Sequence, residues 1–291
     1  MDEMRDTYTV GELSEALAVS SSGYYQWQKE EDGMRRRENQ ILVKEMKRIH
    51  EDRYTRCYGS PRMTRELKER DFDCSENRVA RLMKTHGLAA RTRRPFRPKT
   101  TQSDPACRPA PNRLGQLGAP VKPGEVLVSD ITYVATRQGW LYLAVVIDLF
   151  SRTVLGWKLG ESLATELVLG AVERAKDRLS PLPGALFHSD RGCQYTSKAM
   201  GQRLGALGFT QSMSALGYCY DNAACESFFA TLKNESFPED GIFESKTQAR
   251  MVIFDYLETF YNRRRKHSSL GFLSPETFLK NHFQNINKNL N

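Results

Sequence analysis

The chain has 291 residues, 40% of them hydrophobic, and a net charge of +8 with a pI near 9.2. That length suits two or three domains with real cores, and the charge points to a polyanionic partner, so wholesale disorder is excluded. The charged N-terminus, an apolar maximum (141–150) that is short and carries Asp148, and six cysteines without zinc-type spacing exclude a signal peptide, a membrane span and structural zinc, which leaves a reducing cytoplasm as the expected compartment.

Residues 1–33 read as a short helical, helix-turn-helix-like segment. Thr9-x-x-Glu12 is a capping box, followed by Val10, Leu13 and Leu17 at helical spacing, and Ser20 can cap a second short helix. Residues 34–90 read as a basic helix-turn-helix unit. Between Arg35 and Lys99 there are 20 Lys and Arg against nine Asp and Glu, a net +11, so the basic character is concentrated here. A helix over 39–53 places Ile41, Leu42, Met46 and Ile49 on one face. Pro61 suits the first turn of the next helix, where Arg62 also lies. Ser75 caps a third helix and Gly87 ends it. In that helix Val79, Leu82 and Met83 point inward, while Asn77, Arg78, Arg81 and Lys84 point the other way, as in a recognition helix; an ordinary surface helix is the alternative. Residues 91–124, rich in Pro, Gly, Arg and Thr, read as a linker that can meet DNA backbone through Arg93 and Arg94, among others.

Beyond it the pattern becomes α/β. Strands are expected over 125–133, 140–148 and 153–158, then a helix over 164–178, a strand over 185–188, a helix over 197–207 and a short strand over 209–212. This order is that of a ribonuclease-H-like mixed sheet, here expected over 125–240 behind the all-α helix-turn-helix units. Asp130 falls late in the first strand and Asp190 just past the fourth, on one sheet edge. Glu226, separated from Asp190 by 35 residues, lies on a helix starting at Asp221 or Asn222. Glu226 and Lys233 share a flank of that helix beside a buried stripe of Cys225, Phe228, Phe229 and Leu232. Carboxylates drawn from distant segments suit hard divalent cations, and two such ions about 3.5–4 Å apart can drive an in-line displacement at phosphorus. Asp148 competes as a ligand, but it precedes a tight turn where an Asp commonly accepts N–H bonds. His188 reads equally as a packed or a catalytic histidine. Residues 241–291 hold an apolar helix, then four consecutive cations, Arg263 to Lys266, and His267. These read either as partners of the helix dipole or as a DNA clamp using Arg264, Arg265 and His267, the second being preferred. From Asn281 the chain is expected to fray.

The segments Asp130-Ile131-Thr132-Tyr133, His188-Ser189-Asp190-Arg191-Gly192-x-Gln194-Tyr195, Tyr220-Asp221-Asn222-Ala223-x-x-Glu226-Ser227-Phe228-Phe229-x-x-Leu232-Lys233 and Tyr261-Asn262-x-x-Arg265-x-His267, with Ser274-Pro275 after them, closely resemble transposases of the insertion-sequence-three family, the OrfB half, relatives of retroviral integrases. Tyr58-Gly59-Ser60-Pro61-Arg62 resembles that family's helix-turn-helix region. The resemblance implies an integrase catalytic core in which Asp130, Asp190 and Glu226 are the catalytic metal ligands and Lys233 the lysine that follows them. It also implies a transposase using Mg²⁺ (two ions, with Mn²⁺ as a substitute) to cleave and transfer DNA strands at insertion-sequence ends. Its partners would be double-stranded DNA, both terminal inverted repeats and target, and a second copy of the chain, in a bacterial cytoplasm at the nucleoid. The sequence departs from the family at Leu127, where Trp is common. Nothing before Thr9 resembles the upstream-frame helix-turn-helix and leucine zipper, so that product is a further expected partner. A nuclease that hydrolyses without joining, and a DNA-binding regulator without catalysis, are the competing functions.

Overall fold

The computed structural model describes residues 1, 4–30, 34–90, 109–179, 182, 184–214 and 222–289. The chain forms two compact units, Met1–Ala90 and Arg91–Asn291.

In the first unit α1 (Val10–Ala16) starts at the capping box: Glu12 N–H donates to Thr9 Oγ1, and Thr9 N–H donates back to the Glu12 carboxylate at 2.8 Å. Gly23 N–H donates to Ser20 Oγ at the start of α2 (Ser21–Glu30). Three further helices, α3 (Met34–Glu51), α4 (Ser60–Glu69) and α5 (Glu76–Thr85), enclose a core of Leu42, Met46, Ile49, Met63, Leu67, Val79, Leu82 and Met83. Helix α3 begins five residues before the expected Asn39, because Arg35, Arg36 and Arg37 are good helix formers with no breaker among them. Ile41, expected inside, is 59% exposed; it sits a full 100° from Leu42, which centres the buried face, and Val43 covers the other flank. Pro61 occupies the first turn of α4, Ser75 Oγ accepts the Arg78 N–H at the start of α5, and Gly87 follows that helix at φ +66°.

The second unit is a mixed sheet with helices packed on it. The strands are β1 (Val126–Thr136), β2 (Gly139–Asp148), β3 (Val154–Gly160), β4 (Leu186–Ser189), β5 (Thr210–Met213) and β6 (Ile242–Phe243). Their order is β3-β2-β1-β4-β5, with β6 also on β1. β1, β2 and β3 form an antiparallel meander, while β4, β5 and β6 join in parallel. This is the ribonuclease-H-like arrangement. Helices α6 (Thr165–Arg178), α7 (Cys193–Thr196) and α8 (Lys198–Ala206) share one core with alternate sheet residues: Leu127, Ala144, Val146 and Phe187 meet Val168, Val172, Tyr195, Met200 and Leu204. Helix α7 is a single turn that was not expected.

Val126, Val128 and Val134 alternate with that face and are also buried. Helices α9 (Ala223–Ser236) and α10 (Lys246–Asp255) pack against β1. Helix α10 runs into a π-helical turn, Tyr256–Tyr261, and α11 (Pro275–Asn289) follows. The chain past Asn281 is therefore helical rather than frayed: α11 lays Phe278 and His282 against Phe150, with ring centroids at 5.3 and 4.8 Å. The stretch from 109 also joins this unit, where Arg113 N–H donates to Ser212 Oγ and Ala110 packs on the core.

Candidate active site

Asp130 lies inside β1 rather than late in it, because the strand runs on to Thr136. The parallel pairing with β4 stops at Val128 opposite His188, and the pairing with β6 begins only at Ala135. Two residues past the last matched pair, Asp130 on β1 and Asp190 after β4 come level where the two strands part. Sites gather at such carboxyl ends of strands. Asp130 accepts its neighbour's N–H from Ile131 at 2.8 Å, and Asp190 Oδ1 accepts the Gly192 N–H at 2.9 Å. A Cβ at 192 would lie 3.1 Å from that carboxylate, so glycine lets the loop curl back onto Asp190. Glu226 is exposed in the first turn of α9, where the helix dipole favours an anion. Asn222 is the N-cap residue but makes no side-chain cap bond, and Asp221 lies outside the described residues.

Asp190 and Glu226 both act on Asp130. The Asp130 carboxyl is pushed up to about 8, first by loss of solvent and then by the charge of Asp190, with Glu226 adding to it; the Ile131 N–H and Lys233 pull the other way. Burial, Asp130 and Asp190 raise the Tyr195 phenol, and burial with all three acids raises the Cys225 thiol. Lys233 is half-buried on α9, two turns after Glu226. Among the described residues no three acidic, His or Cys side chains stand closed around a common point.

The other candidates separate cleanly. Asp148 is fully buried and accepts hydrogen bonds from Gly124 N–H, Ser151 N–H and Ser151 Oγ, so it holds the turn between β2 and β3. His188 is fully buried between Ser212 Oγ (2.9 Å) and Ser214 Oγ (3.2 Å), a packed histidine. Arg265 and His267 do not form a surface clamp. Arg265 is 4% exposed and makes a two-pronged ion pair with the buried Glu235, and the buried His267 meets Tyr261 edge to face. A cation among large apolar neighbours is stable only when paired, and here the partner lies on α9. Arg264 remains exposed, over the Phe260 ring. On α5 Asn77, Arg81 and Lys84 are exposed, but Arg78 is turned inward to Asn39 and Glu38. Arg62 lies over the Tyr58 ring. Arg93 and Arg94 lie outside the described residues.

Three supporting residues escaped the sequence reading. Tyr195 bonds Ser129, the residue before Asp130, at 2.9 Å. The charge of Arg152 acts on the thiol of Cys225, the residue before Glu226, against the pull of the acids. Glu235 had the clearest signal: it continues the buried stripe of Cys225, Phe228 and Leu232, and an acid on a buried stripe requires a cationic partner.

The integrase core domain model matches residues 120–219, a second integrase core model matches 207–275, and an HTH-like domain model matches 36–96. An integrase core together with an HTH-like domain makes this chain a DNA transposase/integrase enzyme. It is 40% identical over 272 residues to an insertion element IS600 uncharacterized 31 kDa protein of Shigella sonnei, covering 94% of this chain and 99% of that one. It is 36% identical over 279 residues to the transposase InsF for insertion sequence IS3A of Escherichia coli strain K12, covering 93% and 94%. The chain belongs to the IS3 family of transposases. Among solved structures, the HTLV-2 integrase catalytic core domain in complex with magnesium aligns with a TM-score of 0.41 and 13% identity, over 54% of this chain and 97% of that one. Among the described residues no helix is long and apolar enough to cross a membrane.

Proposed function

We propose that the chain cleaves and joins DNA strands at the ends of an insertion sequence, with Asp130, Asp190 and Glu226 as its catalytic carboxylates. The observation that carries this is the convergence of the Asp190 and Glu226 charges on a half-buried Asp130, in a transposase-family chain. The donor chemistry fits divalent magnesium, or manganese in its place: all three groups are carboxylates, and the burial and carboxylate repulsion that push Asp130 upward are what a hard cation offsets. The fit is one of donor chemistry, not of a preformed cage. Two such ions, when bound by these residues, would help to activate an attacking oxygen and stabilise the leaving one.

The chain's own residues supply positioning. Asp130 is steadied on β1 by the Ile131 N–H, Asp190 by the Gly192 N–H, and Glu226 by its place on α9. Lys233 offers an ammonium to a phosphate of the end DNA. Asn77, Arg81 and Lys84 on α5, with Arg62 and Arg264, meet the DNA backbone or bases, and Arg93 and Arg94 belong to the same proposal. Phosphoryl transfer needs little covalent help from a protein, so this arrangement suffices in kind. The DNA partners are the terminal inverted repeats and the target. The working form is a homo-oligomer bridging two ends, joined by the upstream-frame helix-turn-helix and leucine-zipper product.

A strand-transfer assay on labelled, pre-nicked end DNA with Mn²⁺ tests the proposal. Wild type should give joined products, and Asp190→Asn and Glu226→Gln should give none while still binding DNA. Joining by either variant would refute the assignment, and cleavage without joining by wild type would favour a plain nuclease.

A further inference from the structure

The segment Tyr261-Asn262-Arg263-Arg264-Arg265-Lys266-His267 carries four cations in a row, yet two of them and the histidine are buried. Arg265 Nε and Nη2 donate to the two carboxylate oxygens of Glu235 at 2.8 Å each, and the Tyr256 hydroxyl donates to Glu235 Oε2 at 2.7 Å. Glu235 belongs to the last turn of α9, nine residues after Glu226 and two after Lys233. Within the rest of the segment, Tyr261 also touches α9, while Asn262 and His267 tie the segment to the sheet and to itself. Tyr261 meets Phe228 of α9 edge to face at 4.9 Å, and its hydroxyl donates to the Arg152 carbonyl. Asn262 bonds both the N–H and the carbonyl of Val154 at the start of β3, at 3.0 and 2.9 Å. His267 meets Tyr261 edge to face at 5.0 Å, and its ring nitrogen accepts from Arg265 Nη1 at 3.1 Å.

One end of this segment is thus tied to the sheet and the other to the helix that presents Glu226 and Lys233. Apolar packing alone leaves a helix free to slide or roll by fractions of a turn, whereas a two-pronged guanidinium–carboxylate pair has one geometry. We infer that Arg265, through Glu235, is a positioning residue that fixes the rotation and height of α9, and so the place of Glu226 relative to the β1 and β4 aspartates. The Arg265 guanidinium lies over the Tyr261 ring, Asn262 ties the segment to β3, and Tyr256 bonds the same Glu235 carboxylate. The inference rests on the reading of Glu226 as catalytic.

The test uses the full chain as Arg265→Lys, Glu235→Met/Arg265→Met and Glu226→Gln, with two readouts: cleavage kinetics on end DNA with Mn²⁺, and hydrogen exchange over residues 223–236. The first variant keeps a charge but loses the fork. The second keeps helix packing but loses every directed bond of the pair. Both should fold and bind DNA as wild type does, with kcat down at least tenfold, KM for DNA unchanged, and faster exchange confined to α9. Wild-type kcat and wild-type exchange over 223–236 in either folded variant would overturn the inference, as would failure of both variants to fold, which would make the pair purely structural. An active Glu226→Gln would instead sink the catalytic assignment, and the exchange data would still report on the positioning.

Discussion

At Gly156 on β3 an added Cβ would lie 2.0 Å from the Ala171 carbonyl oxygen and 2.6 Å from Ala175 N, both backbone atoms of α6. Neither can swing aside as a side-chain tip can, so strand and helix would have to part. Gly156→Ala should therefore lower unfolding stability by about 3 kcal/mol, read as a shifted urea midpoint. Asp148 has the converse problem: it is the buried acceptor for the Gly124 and Ser151 N–H groups, and it shares the Ser151 hydroxyl with Thr153 Oγ1. Asp148→Ala should leave the Gly124 and Ser151 N–H groups unsatisfied and destabilise by about 3 kcal/mol, without touching the candidate catalytic carboxylates directly. A variant as stable as wild type in the same urea titration would show that the β2–β3 turn does not depend on this carboxylate.

The element that best separates DNA contact from architecture is α5. Its exposed Arg81 and Lys84 face away from the core, whereas Arg78 is spent on Asn39 and Glu38 of α3. Arg81→Ala and Lys84→Ala should each weaken binding to end DNA and reduce the salt slope of the binding constant by about one, with stability changed by less than about 0.5 kcal/mol. Arg78→Ala should lower stability by about 1 kcal/mol instead and leave the salt slope closer to wild type. Fluorescence-anisotropy titrations over a range of salt concentrations, paired with urea melts, would separate the three. At α9 the element view explains why an unbroken basic run made a poor clamp: the run turns back toward the sheet, and its third arginine, Arg265, neutralises the buried Glu235.

For the molecule as a whole, the folded core and the proposed metal chemistry separate. The sheet, its two helical layers and the buried pair of Glu235 and Arg265 are complete in protein groups, so chelation should spare the fold and remove the chemistry. EDTA is expected to abolish cleavage and joining while far-UV circular dichroism and DNA binding persist, with Mg²⁺ or Mn²⁺ restoring activity. Added Mg²⁺ should also raise the melting temperature modestly, since an ion held between mutually repelling carboxylates binds the native state preferentially. Unfolding on chelation would contradict this picture. The concentration of charge matters at this scale as well. With a net +11 between Arg35 and Lys99, the salt dependence of DNA binding is expected to reside mainly in the basic N-terminal third.

Much of this was legible in one dimension because it depends on local chemistry. The capping box at Thr9, Pro61 at the start of α4, Ser75 before α5 and the strand–helix alternation after 125 each rest on residues within a few positions of one another. The spacing of Asp130, Asp190 and Glu226 and their flanking motifs likewise marked the candidate site and the family. What the sequence did not settle was every question of which side chain meets which across the fold. Period alone could not tell that Ile41 faces water or that Arg78 turns back to α3. It could not tell that β1 outlasts its pairing with β4 and so leaves Asp130 mid-strand. The fate of Arg265 was decided by Glu235, 30 residues away, because a charge can leave water only where a distant partner is brought against it, and only the tertiary structure brings them together.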